Sequence, residues 1–118
     1  MPKVIPRFEA WETVSVPFPY TDRDLAPRRP ALVISLPELE AQTGQIWVAM
    51  ITSAENRKRI GDVTVADLSS AGLPIPSLCR PSKIATIDAA LARPLGMLAK
   101  PERRAVLKSL RGFLALKA

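Results

Sequence analysis

The chain has no histidine among its 118 residues and a single cysteine, Cys79. The first absence removes the commonest general base and the commonest zinc ligand. The second forbids an intrachain disulfide and a thiolate metal cluster, and it predicts a reducing compartment with Cys79 buried and inert. Aromatic residues make up only 5% of the chain, too few for the base-stacking platform of an RRM-type sheet. Apolar runs are short: the longest, Ile46–Ile51, is far below the roughly 20 residues that cross a bilayer. The opening Met-Pro-Lys-Val-Ile-Pro-Arg lacks the apolar stretch of a signal peptide. These absences predict a cytoplasmic protein with no thiolate metal site and no membrane span, and no cofactor is expected.

What is present is basic and otherwise ordinary. Lys and Arg number 17 against 11 Asp and Glu, a net charge of +6 with a pI near 10.1. That balance favours a polyanionic partner, either nucleic acid or an acidic protein. Hydrophobic residues at 47% and charged residues at 24% describe a globular chain. Its length predicts one domain over 1–118 that buries roughly 65% of its unfolded surface.

The pattern along the chain is mostly β. Thr13–Phe18 alternates and is β-branched, so it reads as a strand whose Pro17 marks an edge or bulge. Pro30 fits the first position of a second strand, Ala31–Leu36. Pro37–Gly44 is a loop or short helix, and Gln45–Thr52 is a third strand ending at two adjacent hydroxyls, Thr52 and Ser53. A basic loop follows, then a short strand at Asp62–Val65 and one or two helical turns at 66–72. Ser77–Ile87 reads as a strand broken near Pro81, and Leu91–Leu98 as another. From Pro101 the periodicity turns helical, with Val106, Leu110, Phe113 and Leu114 on one face and Arg104, Lys108 and Arg111 on the other. The sum is a mainly β fold with a C-terminal helix, a strongly bent sheet or small barrel.

Val16–Ser35 is the most informative stretch. Two strands flank a charged loop, and Arg28 and Arg29 stand at the mouth of the second, a suitable place to hold a phosphate.

Four segments then resemble one family, in its order and spacing. They are Val16-Pro-Phe-Pro-Tyr-Thr-Asp, Arg28-Arg-Pro-Ala-Leu-Val-Ile-Ser, Val48-Ala-Met-Ile-Thr-Ser, and Ser77-Leu-Cys-Arg-Pro-Ser-Lys-Ile-Ala-Thr-Ile-Asp. Over about residues 9–116 the chain resembles the MazF/PemK family, the mRNA-cleaving toxins of type II toxin–antitoxin pairs. The resemblance implies an SH3-like small β-barrel of the MazF/CcdB type. It also implies a homodimer, metal-independent cleavage of single-stranded RNA, and an acidic antitoxin as cognate partner. It puts the catalytic arginine on Arg29, the hydroxyl residue on Thr52, and the second arginine of one branch on Arg80. That branch also uses an aspartate where this chain has Ser82, and Asp24 stands where many members carry an acidic residue. Trp11-Glu12 replaces the usual Gly-Asp, and Leu25-Ala-Pro replaces the usual Gln-Gly before the arginines.

Metal-free cleavage requires the RNA 2′-OH to attack the adjacent phosphorus while the 5′-oxygen leaves, giving a 2′,3′-cyclic phosphate and a 5′-OH. Arg29 suits the charge that gathers on the phosphoryl oxygens, because its planar fork meets two of them at once. Arginine is a poor base, so a base is a carboxylate (Asp24 or Glu12), the substrate itself, or none. Thr52, with Ser53 beside it, can orient the phosphate. Arg28, Lys83 and the loop residues Arg57, Lys58 and Arg59 are candidate RNA contacts, and Trp11 and Trp47 are packing residues. Two other functions compete. One is a gyrase-poisoning toxin on the same fold, which needs a Trp-Gly-Ile tail where this chain reads Phe113-Leu-Ala-Leu-Lys-Ala. The other is a catalytically silent nucleic-acid-binding or regulatory module.

Overall fold

The computed structural model describes residues 5–17 and 27–118. Asp24 and the rest of the 18–26 segment lie outside the described residues. In chain order the elements are β1 (Glu12–Pro17), β2 (Arg28–Val33), α1 (Pro37–Thr43), β3 (Gln45–Ser53), β4 (Val63–Val65), α2 (Leu68–Ala71), β5 (Ser77–Asp88), β6 (Arg93–Met97) and α3 (Lys100–Phe113). The strands form one antiparallel sheet in the order β4-β5-β3-β2-β1-β6, curled into a half-barrel with the helix at the C-terminal end. This is the mainly β architecture that the alternating patterns predict.

Period-two alternation builds two cores from the same strands. Val14, Val16, Ala31, Val33, Ile46, Val48 and Met50 pack on one face with Phe8 and Ile87. Leu32, Ala49, Ile51 and Cys79 pack on the other with Leu98, Val106 and Leu110. Trp11 packs against the second core, as expected. Trp47 does not pack as expected. It shares the face of Ala49 and Ile51 but is 49% exposed, beyond the edge of that core.

Several boundaries move for physical reasons. β2 opens at Arg28, because Arg28 and Arg29 already pair with Pro17 and Val16, and it ends at Val33 because Pro37 starts α1. The break near Pro81 is a bulge within a continuous strand. Arg80 stands opposite Met50 and Ile84 opposite Ala49, so Pro81, Ser82 and Lys83 are extra residues in the ladder. In α3, Val106 and Leu110 are buried as predicted, while Phe113 and Leu114 are about half exposed. The helix stops at Phe113, whose ring instead covers Gly61, and Leu114 lies past the helical face. The buried contact at the start of α3 is polar: Glu102 Oε1 accepts from the amides of Ala66 and Asp67.

The turn into β1 keeps a left-handed residue without glycine. Trp11 sits at φ 74°, its amide donating to Val33 O at 2.8 Å and its carbonyl accepting from Leu98 N at 2.9 Å. Elsewhere glycines are indispensable. Gly72 (φ +66°) and Gly96 let the end of α2 lie directly on β6, where a Cβ at either would strike backbone. Thr13 Oγ1 donates to Ala71 O at 2.5 Å, and Ser70 Oγ donates to Met97 O at 2.8 Å across the same crossing. The connector Leu73-Pro-Ile-Pro leaves from this point and runs to β5.

Candidate functional site

Adjacent strand residues point to opposite faces, and this separates the two arginines of β2. Arg28 is turned into structure. Its Nε donates to Ser15 Oγ at 2.7 Å, and its Nη2 donates to Ser15 O and Leu91 O, each at 2.6 Å. Burial first, and the Arg93 charge second, lower its pKa from the ordinary arginine value. We expect Arg28→Ala to destabilise the fold by about 1–3 kcal/mol, because two carbonyls lose a charged donor. Denaturant melts check this.

Arg29 is exposed and opens onto a cleft of about 210 Å³ with Met50, Ile51, Thr52, Arg80 and Lys83. Three strands meet there. β2 supplies Arg29, the end of β3 supplies Thr52, and β5 supplies Arg80 with Lys83 from its bulge. The cleft therefore brings together three cations and a hydroxyl, and among the described residues no carboxylate lines it. Glu12 is not part of this group. It pairs with Met97, accepts from the Glu9 amide at 2.8 Å, and lies four β1 residues, about 13 Å, from the Val16–Arg29 pair.

Thr52 Oγ1 accepts from Asn56 Nδ2 at 2.6 Å, which leaves its own proton available to another acceptor. Asn56 is a site residue that sequence reasoning missed. The signal available was the tight Thr52-Ser-Ala-Glu-Asn turn, in which Ser53 Oγ accepts from the Glu55 amide at 3.2 Å.

Two further clefts adjoin the first. The basic loop (Arg57, Lys58, Arg59) lines one of about 640 Å³ with Asn56, Ile60 and Arg80, so Arg80 borders both. On the other side of Arg29 and Thr52 lies a cleft of about 250 Å³ bordered also by Ser15, Arg28, Ser53, Leu73, Pro74, Ile75 and Leu95.

Arg80 is held rather than free. It forms an ion pair with Asp62 in which the side chains are 10% and 0% exposed. Its Nε lies 3.2 Å from both Asp62 oxygens, and its Nη2 donates to Asp62 Oδ2 at 2.9 Å and Arg57 O at 3.0 Å. Burial alone would raise the Asp62 carboxyl. The Arg80 hydrogen bond, the Arg59 amide and the charges of both arginines outweigh it and hold the pKa below the ordinary value. A depressed carboxyl stabilises the fold above its unfolded pKa of about 3.9, and that stability is lost as pH falls through the lower folded value. The stability advantage of the wild type over Asp62→Asn should thus be full above about pH 4 and vanish at lower pH, as followed by denaturant melts across pH.

Cys79 is buried, and burial, followed by the Asp62 charge, pushes its thiol up to about 12. It is therefore no nucleophile at neutral pH. Among the described residues no group of three or more acidic, His or Cys side chains could hold a metal ion, and no helix is long and apolar enough to cross a membrane.

Comparison with known proteins bears on the fold and the family. No curated protein sequence gives a significant match. Among solved structures, MazF from Deinococcus radiodurans superposes with a TM-score of 0.72 at 22% identity, covering 92% of this chain and 97% of the other. An endoribonuclease in complex with its cognate antitoxin from a mycobacterial species gives 0.73 at 15% identity, covering 94% and 98%. The Mycobacterium tuberculosis toxin MazF-mt6 gives 0.65 at 21% identity, covering 84% and 92%. At these identities the likeness concerns the fold. Residues 9–114, nearly the whole chain, match the family described as PemK-like, MazF-like toxin of type II toxin-antitoxin system. The chain belongs to this family of toxins.

Proposed function

We propose that the protein is an endoribonuclease that cuts single-stranded RNA without metal, by attack of the RNA 2′-OH on the neighbouring phosphorus. The observation that carries this reading is the convergence of Arg29, Thr52, Arg80 and Lys83, from three strands, on one cleft. Such a site stabilises negative charge that gathers on a phosphate. Arg29 grips two phosphoryl oxygens with its fork, and the Thr52 proton, freed by Asn56, bonds a third acceptor on the scissile phosphate. Arg80 and Lys83 add charge from β5, where preorganised donors are worth several kcal/mol, about 3–4 for one donor.

The neighbouring clefts divide the remaining recognition. Arg57, Lys58 and Arg59 track backbone phosphates, and the Leu73–Ile75 cleft suits the flat, weakly polar face of a base. The protein works as a homodimer in the cytoplasm, and its basic surface is neutralised by an acidic antitoxin. The mycobacterial relative, an endoribonuclease solved with its cognate antitoxin, supports that partnership.

Incubation with a defined transcript in excess EDTA tests this reading. Cutting at discrete sites in the single strand, with the matching duplex spared, is the expected result. Strict dependence on added Mg²⁺ would overturn it, and salt-sensitive binding without any cut product would favour the silent binding module.

A further inference from the structure

We infer that Asp62 is a positioning residue of the cleft: it holds Arg80 so that one face of its guanidinium, Nη1, is presented to RNA, and it folds the basic loop around the same group. The inference rests on the ribonuclease reading for its chemistry and on three observations for its geometry.

The first is the edge by which Arg80 is gripped. Asp62 takes Nε and Nη2, and the remaining reach of Nη2 goes to Arg57 O. Among the described residues Nη1 donates to no partner, while Arg80 borders both the Arg29–Thr52 cleft and the basic-loop cleft. A guanidinium pinned along one edge in this way has a single N–H₂ group left to offer.

The second is that the pair organises the loop. Asp62 Oδ2 also accepts from the Arg59 amide at 2.8 Å, and the Asp62 amide donates to Arg59 O at 3.0 Å. With Arg57 O on Arg80, residues 57–62 are wound about one buried ion pair, which spaces the loop cations relative to Arg29 and Thr52.

The third is that the residues following Arg80 in the bulge, Pro81, Ser82 and Lys83, supply no carboxylate. The carboxylate on Arg80 comes instead from the residue just before β4, 18 positions earlier. An arginine fixed in this way loses little freedom on meeting a phosphate, and misplacing such a group costs up to about 100-fold in rate.

The test is a double-mutant cycle with Asp62→Asn, which keeps the side-chain shape, and Arg80→Ala, on a defined single-stranded transcript. Both variants are first confirmed folded by circular dichroism at the assay temperature. We expect D62N to lower kcat about 10–100-fold with KM changed less than about threefold, and the double variant to be no slower than R80A. A general loss of stability would lower the active fraction without this non-additivity. Wild-type kcat in D62N, or effects of the two substitutions that multiply, would overturn the inference.

If the wild type cuts no RNA in EDTA or in Mg²⁺, the ribonuclease reading fails separately, and binding of a mixed-sequence 2′-deoxy oligonucleotide decides the positioning role. Equal, non-multiplying losses of affinity in D62N and R80A sustain it. Unchanged affinity in D62N, or multiplying losses, overturn it.

Discussion

Replacing Arg29 by alanine should lower the rate of RNA cleavage by about 10²–10³-fold, the effect of removing one preorganised donor from a charge-stabilising site. The residue is exposed near the start of β2, so the fold should lose no more than about 1 kcal/mol. Arg29→Lys should fall between wild type and alanine, since a lysine keeps the charge and loses the fork that meets two oxygens. Single-turnover rates, read beside thermal melts of each variant, separate catalysis from folding. The contrast with Arg28 is the sharper part of the expectation. Its neighbour's guanidinium is spent on Ser15 and Leu91, so Arg28→Ala should reduce stability with a much smaller effect on the chemical step.

The second large effect concerns the crossing of α2 and β6. Gly72→Ala combines a left-handed backbone, φ +66°, with a Cβ that would lie 2.7 Å from the Leu95 carbonyl carbon. Left-handed strain of about 1–2 kcal/mol and overpacking of about 1–3 kcal/mol give a loss on the order of 2–5 kcal/mol. Gly96→Ala meets the Ala71 carbonyl carbon at 2.7 Å from the other side and should cost about 1–3 kcal/mol. Gly112→Ala is the matched control. It lies in α3 with nothing within 4 Å of the added methyl, so it should stabilise by about 0.5–1 kcal/mol. Denaturant midpoints for the three variants check the order. Equal stabilities for Gly72→Ala and wild type would show that the crossing is not as tight as described.

Legibility in the sequence followed the range of each interaction. Strands, their two faces and the buried half of α3 were readable because alternation and helical period are local. Arg29 and Thr52 were singled out by the family resemblance, and both line the cleft, Arg29 from the start of β2 and Thr52 from the end of β3. Register was not readable. Whether Arg28 or Arg29 faces the cleft depends on pairing with Val16 and Pro17, and Lys83 reaches it through a bulge that shifts the ladder by three residues. Partners across strands were equally silent. Asp62 carries no mark that assigns it to Arg80, and Asn56 looks like any turn residue until its amide is seen on Thr52. Trp11 shows the converse, since a left-handed φ is held at a residue other than glycine, with its indole packed against the second core.

The central claim is that a cleft of cations and one hydroxyl directs the RNA's own 2′-OH onto phosphorus. The chemical nature of the new ends tests it most directly, measured by mass spectrometry on a defined single-stranded RNA cut in EDTA. A 2′,3′-cyclic phosphate on one fragment and a 5′-OH on the other is the predicted result. A 3′-OH with a 5′-phosphate would mean that water, not the 2′-OH, attacks, and would contradict the account.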